Sequence, residues 1–95
     1  MIDLEDKYIE FIKETIYNVL PDVEIFIFGS RVQGKAQEYS DVDIALKGSI
    51  PFIDLLKVKA IFEDSTFPYK VDIIDLDSVK PEFLKIIEQD LQKVN

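Results

Sequence analysis

Two short apolar stretches, joined by a polar connection, most constrain what this sequence can fold into. Residues 24–28 form a β-branched and aromatic run that predicts a buried strand, and this run passes directly into Gly29 and Ser30. Residues 41–46 alternate polar and apolar side chains, which predicts a second strand with its acids on one face and its aliphatic side chains on the other. The pair predicts a sheet with a tight turn at the end of its first strand.

The rest of the chain predicts helices and a third strand around this pair. Apolar residues at three-to-four spacing predict a helix over residues 4–20, with Asp3 as its N-cap and Pro21 as its stop. Residues 49–63 predict a second helix, and residues 69–76 predict a third strand. Strands and helices of this length, mixed along one chain, favour layers of helix on sheet.

The apolar spacing of the two later helices predicts which side chains they bury. The helix over 49–63 is expected to bury Phe52, Leu55, Leu56 and Phe62. A last helix is expected to begin at an N-cap, Ser78, and to present one stripe made of Phe83, Leu84, Ile87, Leu91 and Val94. The predicted order of elements is therefore α-β-β-α-β-α. Residues 1–95 are expected to form one domain, since domains usually run about 100–150 residues.

Composition excludes several chemistries. The 95 residues contain no Cys and no His, which removes a thiolate nucleophile, Cys-ligated zinc and the usual imidazole base. Any metal ion would need oxygen ligands. The formal charge of −8 argues against direct nucleic-acid binding, so an anionic ligand would have to bring a cation. No run approaches the roughly 20 apolar residues of a membrane span, and a cytoplasmic protein is expected.

The turn after the first strand has the residues of a phosphate-binding loop. Gly29 allows the backbone to turn sharply and to approach a ligand closely. Ser30 offers a hydroxyl and an amide to an anionic oxygen, and Arg31 has the fork geometry that clamps phosphate. A Gly-Ser pair after a strand is more often an ordinary turn when it occurs alone, so the neighbouring acids decide its interpretation.

Asp41 and Asp43 supply those acids. Two residues apart on a strand, they project from one face, roughly 6.5 to 7 Å apart along the chain. That spacing suits one shared divalent cation, or two cations about 3.5 to 4 Å apart. Two alternating acids are also common on a solvated strand face. Their occurrence within 15 residues of Gly29 and between apolar strands favours a phosphoryl-transfer site.

These residues carry a family resemblance. Gly29-Ser30, ten further residues, and then Asp41-Val42-Asp43 resemble the signature of the DNA polymerase β-like nucleotidyltransferase superfamily, and the length resembles its minimal prokaryotic members. The resemblance implies an α+β fold, a small mixed β-sheet backed by helices. It also implies that Gly29, Ser30, Arg31 and Ser40 bind the nucleotide. It also implies that Asp41 and Asp43 bind Mg²⁺ or Mn²⁺ and act in catalysis, together with a third carboxylate from a neighbouring strand.

The third strand offers three candidates for that carboxylate. Asp72 follows an apolar residue early in the strand, as the family pattern requires, and is the predicted catalytic and metal-binding residue. Asp75 lies on the opposite strand face by parity, although parity alone does not say which face meets the other acids. Asp75 and Asp77 are expected to have structural roles near Ser78.

The resemblance implies transfer of AMP from ATP to a hydroxyl with release of pyrophosphate. Minimal members of the family are often antitoxins that transfer AMP to a tyrosine of a HEPN-type toxin, so the expected activity is that of a protein adenylyltransferase. A chain this short is expected to rely on its acceptor protein for half of the site. Two alternatives remain: an inactive antitoxin that masks its partner, with Phe67, Pro68 and Tyr69 as interface candidates, or transfer to a small-molecule antibiotic.

Overall fold

A computed structural model describes residues 2–94 as four helices and four strands. In chain order these are α1 (Asp6–Val19), β1 (Glu24–Phe28), α2 (Ser30–Gln33), β2 (Val42–Lys47), α3 (Phe52–Asp64), β3 (Val71–Asp75), α4 (Pro81–Ile87) and β4 (Gln92–Lys93). None of the helices within this range is long and apolar enough to cross a membrane. The predicted succession of α1, β1, β2, α3, β3 and α4 is confirmed.

The four strands form one mixed sheet in the order β3-β2-β1-β4. β1 pairs antiparallel with both β2 and β4, whereas β2 and β3 are parallel and are joined by α3. The register aligns Phe28 with Asp43, and Asp43 with Asp72. The register therefore brings β1, β2 and β3 together at the point where the sequence concentrates its polar residues.

One face of the sheet is closed by α1 and α3. Its core consists of fully buried aliphatic side chains from both helices and from β1 and β2, including Ile12, Ile16, Ile25, Ile27, Val42, Ile44, Leu46 and Val58. Burying a side chain of this size stabilises the fold by about 1.5–3 kcal/mol. We call this the closed face.

The opposite face, which we call the open face, is only partly covered. A smaller apolar cluster joins Phe28, Ala45, Leu76 and Ile87, and Ile87 is contributed by α4. Asp43 of β2 and Asp72 of β3 lie on the remainder of this face because side chains alternate along a strand. The predicted separation of acids and aliphatic residues on β2 is thus confirmed.

The end of the chain differs from its predicted single helix. α4 begins at Pro81 and ends at Ile87, and Gln92–Lys93 form β4 on the edge of β1. Val94, expected on the helix stripe, instead donates its amide to the carbonyl of Ile25 at 3.0 Å. The helical spacing is present in the sequence, but pairing with β1 satisfies backbone groups that a longer helix would leave exposed at the sheet edge. Ser78 lies before α4 and is not its N-cap, a position taken by Lys80.

α3 also turns a different face inward from the one predicted. Phe52 is 72% exposed and Leu56 is 43% exposed, while Val58 is fully buried beside the expected Leu55 and Phe62. α3 contacts β3 and α1, and these contacts decide which of its side chains are buried. The spacing of apolar residues alone does not single out that side of the helix.

α1 begins later than predicted. Its first residue is Asp6 and its N-cap is Glu5, while Asp3 lies ahead of the helix and donates its amide to the carbonyl of Arg31 at 2.7 Å. Leu4 is buried in the core without belonging to the helix. The segment before α1 therefore packs against the start of α2 instead of extending the helix.

Candidate active site

Gly29 makes the turn that starts the site. Its φ of 78° and ψ of −149° lie in a region that residues with a side chain avoid. Its carbonyl accepts the amides of Val32 and Gln33, each at 3.0 Å, and so begins the single turn of α2. A Cβ built on Gly29 would overlap Oδ2 of Asp43, because the Asp43 carboxylate lies directly over the glycine. Two requirements, the positive φ and this close approach, therefore select glycine here.

The Asp43 carboxylate beside this turn has two acidic neighbours, Asp72 and Asp41. Asp43 of β2 is aligned with Asp72 of β3, and Asp41 precedes β2 by one residue. Partial burial raises the pKa of Asp43, and the negative charges of Asp72 and then Asp41 raise it further. The charges of Asp72 and Asp41 therefore act on the Asp43 carboxylate. An arrangement of this kind is typical of functional sites, where a cation relieves the repulsion.

The chemistry of the carboxylates fits a magnesium ion that binds together with phosphate. Carboxylate oxygens are ligands that Mg²⁺ and Mn²⁺ prefer. Among residues 2–94, no three acidic side chains converge closely enough to enclose a metal ion by themselves. Mg²⁺ commonly takes one or two carboxylates and completes its shell with substrate phosphate and water. The site therefore suits a metal–nucleotide complex better than a metal ion alone.

Asp75 and Asp77 lie outside this group. The carboxylate of Asp75 accepts the amide of Asp77 at 3.0 Å and the hydroxyl of Ser78 at 3.2 Å. These contacts form a turn at the end of β3, where Asp75 is aligned with Leu46. The structure therefore brings Asp72, and not Asp75, to the face that carries Asp43. The structural role expected for Asp75 agrees with this placement.

Arg31 has a different environment from that of a phosphate clamp. The residue is only 5% exposed, and its guanidinium donates to the carbonyl of Asp3 at 3.1 Å and to that of Ser40 at 2.8 Å. The same group lies 4.3 Å from the ring centroid of Tyr69, in cation–π geometry. Its Nε is buried and has no hydrogen-bond partner among residues 2–94. The structure thus corrects the predicted role: Arg31 is directed at backbone carbonyls and a ring, and not at the open face.

This placement of Arg31 links the segments that carry the site. Arg31 belongs to α2, Ser40 directly precedes Asp41, and Tyr69 leads into β3. The hydroxyl of Ser40 accepts the amide of Gln37 at 2.8 Å, which closes the loop before Asp41. In the sequence, Arg31 beside the glycine turn suggested a ligand. Its contacts depend on residues 9 to 38 positions away, which a local motif does not reveal.

The fold and the site define a class of protein. A family model described as "Polymerase beta, Nucleotidyltransferase" matches residues 4–93. The chain belongs to the polymerase β nucleotidyltransferase family. Both the resemblance drawn from the Gly29-Ser30 and Asp41-Val42-Asp43 motifs and the predicted fold class are confirmed.

Individual relatives are similar over most of the chain. The protein named "Probable protein adenylyltransferase MntA" from Haemophilus influenzae is 32% identical over 90 residues, which cover 93% of this chain and 79% of that protein. A crystal structure described as a toxin-antitoxin with AMP-PNP has a TM-score of 0.76 at 22% identity, covering 92% of this chain and 72% of that one. A complex of tri-AMPylated Shewanella oneidensis HEPN toxin with MNT antitoxin has a TM-score of 0.73 at 19% identity, covering 97% of this chain and 72% of that one.

Proposed function

We propose that this chain is a protein adenylyltransferase that transfers AMP from ATP to a hydroxyl of a partner protein. The observation that carries the proposal is the alignment of Asp43 with Asp72, beside Asp41 and directly over Gly29. This arrangement combines acidic ligands for a divalent cation with a backbone turn open to phosphate. Family membership supports the reaction type, and the adenylyltransferase relative supports AMP as the group transferred.

The proposed reaction forms a bond from the acceptor oxygen to the α phosphorus and breaks the bond to pyrophosphate. Asp41, Asp43 and Asp72 would hold Mg²⁺ or Mn²⁺, which neutralises phosphate charge and lowers the pKa of the attacking hydroxyl when bound. Gly29 and Ser30 orient the phosphates through backbone and hydroxyl groups. Asp72 takes the proton of the acceptor hydroxyl, a task that needs no imidazole base.

The proposed partner is a HEPN-type toxin. A structural relative is an MNT antitoxin in complex with such a toxin carrying three AMP groups, and another complex was solved with AMP-PNP. Because ATP is the proposed donor, the cytoplasm is the expected compartment. Tyrosine is the expected acceptor residue on the partner.

The direct test is a mass measurement on the partner. The chain is incubated with ATP, Mg²⁺ and a HEPN-type toxin, and the mass of the intact toxin is measured by mass spectrometry. We expect one or more AMP increments on a tyrosine, which disappear when ATP or Mg²⁺ is omitted. A folded partner that gains no AMP would contradict the proposal.

One observation favours a second candidate function, masking of the partner without catalysis. Phe52, Ile53 and Ile86 are large apolar residues that are each more than half exposed, as at an interaction surface. Of the predicted interface residues Phe67, Pro68 and Tyr69, Phe67 is not available for such a surface. Its ring packs against four other aromatic rings, with centroid distances of 5.5–5.9 Å. A variant with Asp41, Asp43 and Asp72 all replaced by Asn tests this function. If it neutralises the toxin at the dose of the wild type, binding is sufficient.

A further inference from the structure

β3 lies at an edge of the sheet, where Val71 is half-buried and Ile73 is 4% exposed. It is the first strand of the order β3-β2-β1-β4, so β2 lies on one side and no described strand lies on the other. The amide of Val42 donates to the carbonyl of Lys70 at 2.9 Å, and the amide of Leu76 donates to that of Leu46 at 2.9 Å. Backbone groups alternate sides along a parallel strand, so the even-numbered residues of β3 face β2. Val71 and Ile73 therefore turn their N–H and C=O groups outward.

A groove runs along the same edge. Two cavities of about 660 and 300 Å³ lie between β3 and α3, and both are lined by Lys59, Ile73 and Ile74. The larger cavity reaches Asp72, and the smaller reaches Phe52, which is strongly exposed. The groove is therefore continuous with the carboxylate site at one end and with an exposed aromatic side chain at the other.

The register of the sheet says where an added strand would place its side chains. Neighbouring strands lie about 4.8 Å apart, and directly opposed Cβ atoms lie about 4.5–5.5 Å apart. A residue opposite Asp72 would project from the open face, where Asp43 lies. Its two neighbours would project from the other face, toward the groove beside α3. One strand could thus deliver a hydroxyl to the carboxylates and anchor apolar side chains in the groove.

We propose that β3 is the docking strand for the acceptor protein. An extended segment of the acceptor pairs with the outward groups of Val71 and Ile73, its hydroxyl-bearing residue lies beside Asp72, and its flanking apolar side chains fill the groove. This inference rests on the proposed function and adds the path by which the acceptor enters. Main-chain pairing supplies affinity and the groove supplies specificity, as in other strand-addition complexes.

Residue-resolved hydrogen exchange tests the pairing. Amide exchange of the full chain is followed by NMR with and without the HEPN-type partner, in the presence of a nonhydrolysable ATP analogue. We expect the amides of Val71 and Ile73 to exchange at least about tenfold more slowly with the partner, and those of Asp72 and Ile74, which already face β2, to change little. Uniform slowing of all four, or none, would overturn strand pairing.

A matched pair of variants tests the same edge through kinetics. Val71→Pro removes an outward N–H at the first strand position, where proline is tolerated, and Val71→Ala keeps that N–H. We expect Val71→Pro to raise the KM for the acceptor protein at least about tenfold and Val71→Ala less than about threefold, with the Kd for the ATP analogue unchanged in both. Equal KM effects would overturn the proposal. Phe52→Asp, at an exposed groove position, should also raise this KM if Val71→Pro fails to fold.

The outcomes separate this inference from the proposed function. AMP transfer that proceeds while Val71 and Ile73 exchange freely would overturn the docking strand and leave the proposed function standing. Alternating protection with no transfer from ATP would overturn the proposed function and the acceptor role with it. Alternating protection that develops in the concentrated chain alone, together with a dimer in sedimentation, would overturn the proposal in favour of pairing between two copies.

Discussion

The closed and open faces of the sheet are built from the same strands, but the closed face carries the main core and the open face carries the candidate site. On the closed face, Ile44 of β2 is fully buried against helices. On the open face, its neighbour Asp43 is half-buried, and this burial, together with the charges of Asp72 and Asp41, raises the pKa of Asp43. Burial of aliphatic side chains on the closed face stabilises the fold, whereas the ionised Asp43 carboxylate on the open face disfavours it, because charge is concentrated where a ligand is expected. The comparison teaches that stability and chemistry are divided between alternate residues of one strand.

Replacing Asp43 should separate the two faces most clearly. Asp43→Asn keeps the shape of the side chain and removes its charge, so we expect AMP transfer to fall by more than about 100-fold while the fold remains intact. Transfer is measured by partner mass, and folding by circular dichroism. Asp75→Asn is the matched control, since Asp75 closes a turn outside the carboxylate group. Equal losses in the two variants would contradict the assignment.

A substitution in the core of the closed face should lower stability and leave AMP transfer unchanged, the reverse of the result expected for Asp43→Asn. Ile16 lies in α1, is fully buried on the closed face, and makes no part of the carboxylate site. We expect Ile16→Ala to lower the free energy of unfolding by about 2–5 kcal/mol, measured by urea denaturation, without changing transfer per folded molecule. Ile86→Ala, at a 70% exposed position, should lower the free energy of unfolding much less. Loss of activity in the folded Ile16 variant would mean that the two faces are coupled.

Gly29 and Gly34 form a matched pair for the turn. Both have positive φ, 78° and 75°, but a Cβ meets Asp43 at Gly29 and open space at Gly34. We expect Gly29→Ala and Gly34→Ala each to lower the free energy of unfolding by about 1–3 kcal/mol, because alanine is strained at a positive φ. Only Gly29→Ala should also reduce transfer, since it displaces the Asp43 carboxylate. If Gly34→Ala reduced transfer equally, close approach would not explain the glycine at position 29.

Arg31 tests how the site is held in place. Arg31→Lys keeps a positive charge but cannot serve two carbonyls and stack on Tyr69 with the same planar group. We expect it to lower stability by about 1–3 kcal/mol and to reduce kcat more than it raises the KM for ATP. A selective rise in that KM with kcat preserved would instead indicate contact with phosphate. Binding of an ATP analogue gives the independent readout.

The smallest effect should appear in the pH dependence of stability. Because the pKa of Asp43 is raised in the folded state, the ionised carboxylate favours unfolding. Its protonated form contributes stability that is complete below the unfolded pKa of about 3.8 and is lost as pH rises through the folded pKa. We therefore expect Asp43→Asn to be more stable than the wild type at pH 7, by a margin that shrinks as pH falls. Urea denaturation at several pH values measures it, and a constant margin would contradict the raised pKa.

Local sequence was sufficient for β1, β2 and β3 and for the side of β2 that carries Asp43. Alternation placed Asp41 and Asp43 away from the aliphatic side of β2, and the Gly29-Ser30 turn was recognisable because few residues can follow a buried strand into so sharp a bend. Asp72 was selected over Asp75 by a family pattern. Its alignment with Asp43 depends on parallel pairing between strands separated by α3. No local spacing encodes that register.

The errors all concern contacts between distant segments. β4 replaced the end of the last helix because a free edge of β1 was available to Gln92 and Lys93. Arg31, whose side chain suggested a phosphate ligand, is held by carbonyls before α1 and before β2. The exposed positions of α3 were misjudged because helical periodicity gives a stripe but not the element that the stripe contacts.

The sequence by itself determined the succession of α1, β1, β2, α3, β3 and α4, the glycine turn, and the separation of acids from aliphatic side chains, since each depends on backbone geometry within a few residues. The tertiary structure decided which acids meet, where Arg31 is directed, and which strand edge stays open. Those features depend on pairing across the sheet and on helices that cover only part of it. The carboxylate group of Asp41, Asp43 and Asp72 exists because β2 and β3 run parallel in one register.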